Sequence, residues 1–193
     1  LFKEGFVVKT KTKACIAALC AVVLVAASVF ATVAYLTSTA EVTNTFTYGK
    51  VAITLDEAKV NEYGATIETA DRVTGNKYKL IPGHSCTKDP TIHVSADSEN
   101  CWLFAKVENG LGEDAFLGID SDKWTLVPNT TNVYAYNNVS KADDDVIVFE
   151  SFTFGENADP KDYKDATITV TAYAVQADGF KTAVEAWNAA NFQ

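Results

Sequence analysis

The feature that most constrains this chain is an uncharged apolar run from Ala14 to Leu36, preceded by Lys3, Lys9, Lys11 and Lys13. A run of that length can cross a bilayer, and a small β domain has no interior deep enough for it. Positive charge, then an apolar stretch, then small residues is the grammar of a secretory signal. Thr32-Val33-Ala34 places small residues at −3 and −1 of a cut between Ala34 and Tyr35. Val29-Phe30-Ala31 and Ser38-Thr39-Ala40 are alternative cut positions. No Lys or Arg follows until Lys50, so no stop-transfer flank is visible. Cleavage is expected over a retained anchor, which would be the only membrane attachment. Gly5-Phe6 does not open a pilin-type helix, because three lysines interrupt the stretch behind it. The chain holds no Met, so its first residue is not expected to be the start of the gene product.

Residues 1–34 are thus read as a signal peptide, 35–47 as an extended segment, and 48–193 as one folded domain. The formal net charge is −9, and the basic residues ahead of the apolar run make the remainder more acidic still. That balance argues against nucleic acid and anionic membrane surfaces as partners.

Thr43 to Leu55 is rich in β-branched and aromatic residues, with Gly49 marking a bend between two short strands. Asp56 to Asn76 is polar and holds Gly64 and Gly75, so a loop or weak hairpin is expected. Pro82-Gly83 is a turn signal. Thr91 to Val94 and Cys101 to Val107 are predicted strands. The latter is apolar on both faces, as a central strand would be. Asn109 to Asp122 is predicted as loop. Lys123 to Val127 and Val133 to Tyr136 form a hairpin around Pro128-Asn129-Thr130-Thr131. Val146 to Phe154 is one further strand. In Ala166 to Val175, Ile168, Val170, Ala172 and Ala174 alternate with Thr167, Thr169, Thr171 and Tyr173. Over 180–190 the period becomes helical, with Phe180, Ala183, Val184 and Trp187 on one face and Asp178 as the cap. Many short strands and one terminal helix predict an all-β fold, a β-sandwich of jelly-roll type.

Cys15 and Cys20 lie in the apolar run. In an exported domain the remaining pair, Cys86 and Cys101, favours a disulfide; a metal site with His84 and His93, or free buried thiols, are the alternatives. The two histidines are otherwise expected on loop or strand surface. Neither a His-Glu-x-x-His nor a Gly-x-Ser-x-Gly arrangement occurs, so no catalytic residue, metal ligand or cofactor site is assigned. Asp143-Asp144-Asp145 reads as a solvated turn. Trp102, Trp124 and Trp187 read as packing residues.

Three stretches together resemble the TasA/camelysin family of secreted bacterial surface and matrix proteins. The first is Ala31 through Phe46 with Gly49-Lys50-Val51, similar to the family's cleavage region and first strands. The second is Leu80-Ile81-Pro82-Gly83 with Lys88-Asp89-Pro90-Thr91-Ile92. The third is Thr171 through Phe180 with Ala186-Trp187. The resemblance implies a jelly-roll subunit on a Gram-positive cell surface or in a biofilm matrix, processed by a SipW-type signal peptidase. It also implies self-assembly into extracellular fibres by donor-strand complementation. The donor segment would begin at Tyr35, with Tyr35, Leu36, Ala40 and Val42 filling a neighbour's groove. A camelysin-like metallopeptidase and a non-polymerising surface binding domain are the alternatives. The peptidase activity is not carried over, because no metal-binding cluster is visible.

Overall fold

In a computed structural model of the chain, residues 50–190 and Phe192 are described. The chain divides into two units, 1–46 and 47–193, and the described residues belong to the second. The expected signal segment, its cleavage point and the donor residues Tyr35, Leu36, Ala40 and Val42 lie outside them. So does the bend expected at Gly49. Among the described residues no helix is long and apolar enough to cross a membrane.

The domain is predominantly β. Its strands are β1 (Ile53–Asp56), β2 (Ser85–Thr87), β3 (Thr91–Val94), β4 (Cys101–Asn109), β5 (Ala115–Ile119), β6 (Trp124–Leu126), β7 (Val133–Tyr136), β8 (Asp145–Ile147), β9 (Phe149–Phe154) and β10 (Ile168–Gln176). One helix, α1 (Ala183–Ala190), follows. The strands form three antiparallel sheets, ordered β1-β3-β8, β10-β4-β7-β6 and β2-β9-β5.

Strand β4 lies between β10 and β7, as its two apolar faces predict. One face supplies Leu103, Ala105 and Val107 to the main core with Ile92, Val94, Val146 and Phe149. The other turns Phe104 toward Val127, Val133 and Ala135, where α1 closes over it with the fully buried Ala186. The Trp187 ring stands 5.0 Å from Phe104 and 5.6 Å from Tyr173. A helix patterned on one side thereby covers the outer side of a sheet whose inner side already faces the core.

Several expectations are corrected. Val146–Phe154 is not one strand. It breaks at Val148, whose N–H donates to the Pro90 carbonyl at 2.9 Å. Pro90 has no N–H to return, so the ladder stops there and restarts at Lys88, which donates to the Glu150 carbonyl. The segment thus passes from the β3 sheet into the β2 sheet. Strand β5 occupies a stretch expected to be loop. Its apolar alternation, Ala115, Leu117 and Ile119, is hidden by the flanking glycines and acids, and its register shifts between Leu117 and Ile119. The 56–76 region, by contrast, is the loop or weak hairpin expected, with two isolated antiparallel bridges, Glu57 with Val73 and Val60 with Thr66. Helix α1 starts later than expected, and its cap is not Asp178. Thr182 Oγ1 accepts from the Glu185 N–H at 3.2 Å, and Glu185 Oε2 accepts from the Lys181 N–H at 2.9 Å.

Candidate functional site

Strand β5 ends the β2-β9-β5 sheet, and β6 ends the four-stranded sheet. Lined by both, and by residues at the end of β4 and the start of β10, is an open groove of about 1140 Å³. Its apolar lining is Val107, Leu117, Ile119, Trp124, Leu126 and Tyr134. The sequence builds this from alternation: β5 turns Leu117 and Ile119 one way, and leaves Phe116 73% exposed on the other. Trp124 anchors the far wall. Its indole N–H donates to the Ile147 carbonyl at 3.0 Å, and its ring lies 5.4 Å from Tyr136. Leu126 is 44% exposed at the rim. Among the described residues, β5 and β6 carry no ladder partner on their outer sides. Unpaired N–H and C=O groups beside an apolar floor can receive one extended strand.

The polar groups concentrate elsewhere, across β1, β3 and β8. His93 on β3 bridges its two neighbours: Nε2 to Asp56 Oδ1 at 2.9 Å and Nδ1 to Asp145 Oδ1 at 2.6 Å. Both ring nitrogens face acceptor-only carboxylates, an arrangement made for the imidazolium. Burial pulls the His93 pKa down, but the hydrogen bonds and charges of Asp56 and Asp145 outweigh it and hold it above the ordinary value. Asp56 is treated oppositely: burial raises it, while Arg72 and His93 together bring it below the usual carboxylate range. Arg72 forks between Asp56 and Asp89 and also donates to Thr91 Oγ1 at 2.7 Å. His93 therefore does more than sit on a strand surface. Asp145 is drawn out of the acidic turn to meet it, while Asp144 stays in that turn and accepts from the Lys141 N–H. The bridge from Asp56 through His93 to Asp145 has no sequence signal, because its members are strands apart.

The Cys86–Cys101 disulfide expected from the sequence is not formed. Cys86 on β2 pairs in register with Phe152 and packs with Leu111 and Phe154, whereas Cys101 on β4 pairs with Gln176 and packs with Ile92 and Leu103. The strands belong to different sheets and the thiols to different core clusters, so both are free and buried. Burial raises both thiols, Cys101 to about 11 with help from the Asp144 charge. Neither is poised as a thiolate. Trp102, Trp124 and Trp187 all pack in cores, as expected. Among the described residues no group of three or more His, Cys, Asp or Glu side chains is arranged to hold a metal ion.

No family model, no curated protein and no solved structure matches this chain.

Proposed function

We propose that this protein is a secreted subunit of a cell-surface or matrix fibre, a jelly-roll domain of the TasA/camelysin kind. Cleavage between Ala34 and Tyr35 by a SipW-type peptidase frees residues 35–47, which add as a strand to an edge of the next subunit. The observation that carries this reading is the groove between β5 and β6. It offers an apolar floor beside two strands that end their sheets. The donor segment has the matching pattern, with Leu36, Ala40 and Val42 on one side of an extended chain and no helix signal. A donor at one end and an acceptor elsewhere make a head-to-tail contact, which runs on as an open chain unless its rotation closes a ring. An open chain gives filaments.

The test is negative-stain electron microscopy of the purified mature protein, with its N-terminus sequenced. Filaments from a chain beginning at Tyr35 are the expected result. A protein that stays monomeric at high concentration, with the same N-terminus, would sink the reading.

A further inference from the structure

A second constellation lies under the loop that returns along β1, away from the groove, and does not depend on assembly. Glu57 follows β1 and is 4% exposed; Lys88 lies between β2 and β3 and is 9% exposed. Glu57 Oε2 accepts from Lys88 Nζ at 2.6 Å, and Glu57 Oε1 accepts from Asn76 Nδ2 at 2.9 Å. One buried carboxylate thus holds a primary amine on one oxygen and a carboxamide nitrogen on the other. The amide's orientation is set by its other partners. Asn76 Nδ2 also donates to the Ala58 carbonyl at 2.8 Å, and Asn76 Oδ1 accepts from the Val60 N–H at 3.1 Å. Ala58 offers there only an acceptor and Val60 only a donor, so the group cannot be reversed.

The ion pair itself is buried, and the cleft beside it has one apolar side. Leu55, Leu80, Pro90 and Phe152 line the adjoining cleft of about 770 Å³. Tyr78 lies across it, edge-on to Phe152 at 5.1 Å, with its hydroxyl donating to the Thr87 carbonyl at 3.0 Å. Burial, and then the Glu57 charge, raise the Tyr78 pKa far above its ordinary value. A lysine–glutamate ion pair in such a place is costly to desolvate, and a neutral outcome relieves that cost.

We propose that Lys88 and Asn76 join through an intramolecular amide bond, with Glu57 carrying the protons. Glu57 takes one proton from the Lys88 ammonium. The freed Nζ lone pair attacks Asn76 Cγ, and the charge that develops on Oδ1 is met by the Val60 N–H already bonded to it. Glu57 delivers its proton to Nδ2. The Cγ–Nδ2 bond breaks, and the nitrogen leaves as ammonia through the cleft. Of the three Nζ protons, one stays on the new amide nitrogen, one departs in the ammonia and one remains on Glu57. The buried ion pair ends as two neutral groups. No oxidant, metal or cofactor enters the balance. Positioning contributes most, since amine, amide and proton carrier are held before the reaction starts. The product is a ring from Asn76 to Lys88 that encloses the Pro82-Gly83 turn and β2.

Mass spectrometry of the purified protein tests this. The expected intact mass is lower than that of the sequence by one ammonia. Trypsin should not cut after Lys88, and should release Val73–Lys77 joined to Leu80–Lys106 as one branched peptide. Asn76→Ala should abolish the branched peptide and restore cleavage after Lys88. Glu57→Gln should abolish it too, with a circular dichroism spectrum like the parent's. If Glu57→Gln does not fold, the parent and Asn76→Ala still decide the question. A parent protein that keeps its full mass through days at neutral pH, and yields free Leu80–Lys88, overturns the proposal. A linkage that persists in folded Glu57→Gln overturns the role given to Glu57.

Discussion

His93 is the side chain through which pH reaches the fold. It ties β1 to β8 through two carboxylates, and the tie is complete only when the ring carries both protons. Its folded pKa lies above the ordinary 6.5 because the attraction of Asp56 and Asp145 outweighs desolvation. A group with a raised folded pKa contributes its stability in full below the unfolded value and loses it as pH rises through the folded value. Arg72, the other charge against Asp56, stays protonated throughout and adds no slope there. The thermal midpoint should therefore fall as pH rises above the ordinary imidazole value of 6.5. His93→Gln should be less stable at the acidic end and should lose that dependence. A parent with a flat profile over this range would show that the imidazolium is not what holds the three strands. Asp56 supplies the opposite limb, well below that range. Its depressed pKa means stability held above its ordinary value of 3.8 and lost as pH falls through the folded one.

At the scale of the element, β10 shows what strand alternation determines. Ile168, Val170, Ala172 and Ala174 pack on the main core, while Thr167, Thr169 and Thr171 are exposed. Val170→Asp should cost about 3 kcal/mol, because an unpaired carboxylate enters an apolar cluster. That corresponds to a fall in thermal midpoint of about 10 °C. Thr169→Asp meets Glu108 directly across the ladder, and like charges there cost less than about 1 kcal/mol in water. Equal melting of the two variants would mean that the faces are reversed. The same alternation made β4, β10 and the β6–β7 hairpin legible from the sequence. It failed at β5, where Gly118 and neighbouring acids mask three apolar positions, and at Val148, where the break comes from Pro90 in the link between β2 and β3. The cysteine spacing carried no information about sheets, so it suggested a bond between residues that pack in separate clusters. The His93 bridge and the Glu57, Asn76 and Lys88 constellation were invisible for the same reason. Each joins side chains from segments that only tertiary pairing brings together, and no local pattern encodes that.

For the whole molecule, the question is what fills the space between β5 and β6. A strand added there would gain backbone hydrogen bonds to an edge and would bury apolar side chains against Leu117, Ile119 and Tyr134. Burying Leu36 and Val42 would contribute about 3 to 6 kcal/mol together, which is about a hundredfold or more in affinity. Deleting Tyr35 to Val42 should therefore leave a folded monomer, since among the described residues the first strand is Ile53–Asp56 and the main core is built from Val51 onward. The paired change Leu36→Asp with Val42→Asp should act like the deletion, by placing two carboxylates in an apolar slot. On the receiving side, Leu126→Asp should also stop assembly at little cost to the fold, because Leu126 stands at the exposed rim. Circular dichroism would report the fold and negative-stain microscopy the filaments. Filaments from the truncated protein would remove strand donation by this segment. Loss of the fold on truncation would mean that the segment completes its own domain. Filaments that survive Leu126→Asp but not the deletion would keep the donor and move the acceptor to another edge, with β10, nine residues long and at the border of its sheet, the next to examine.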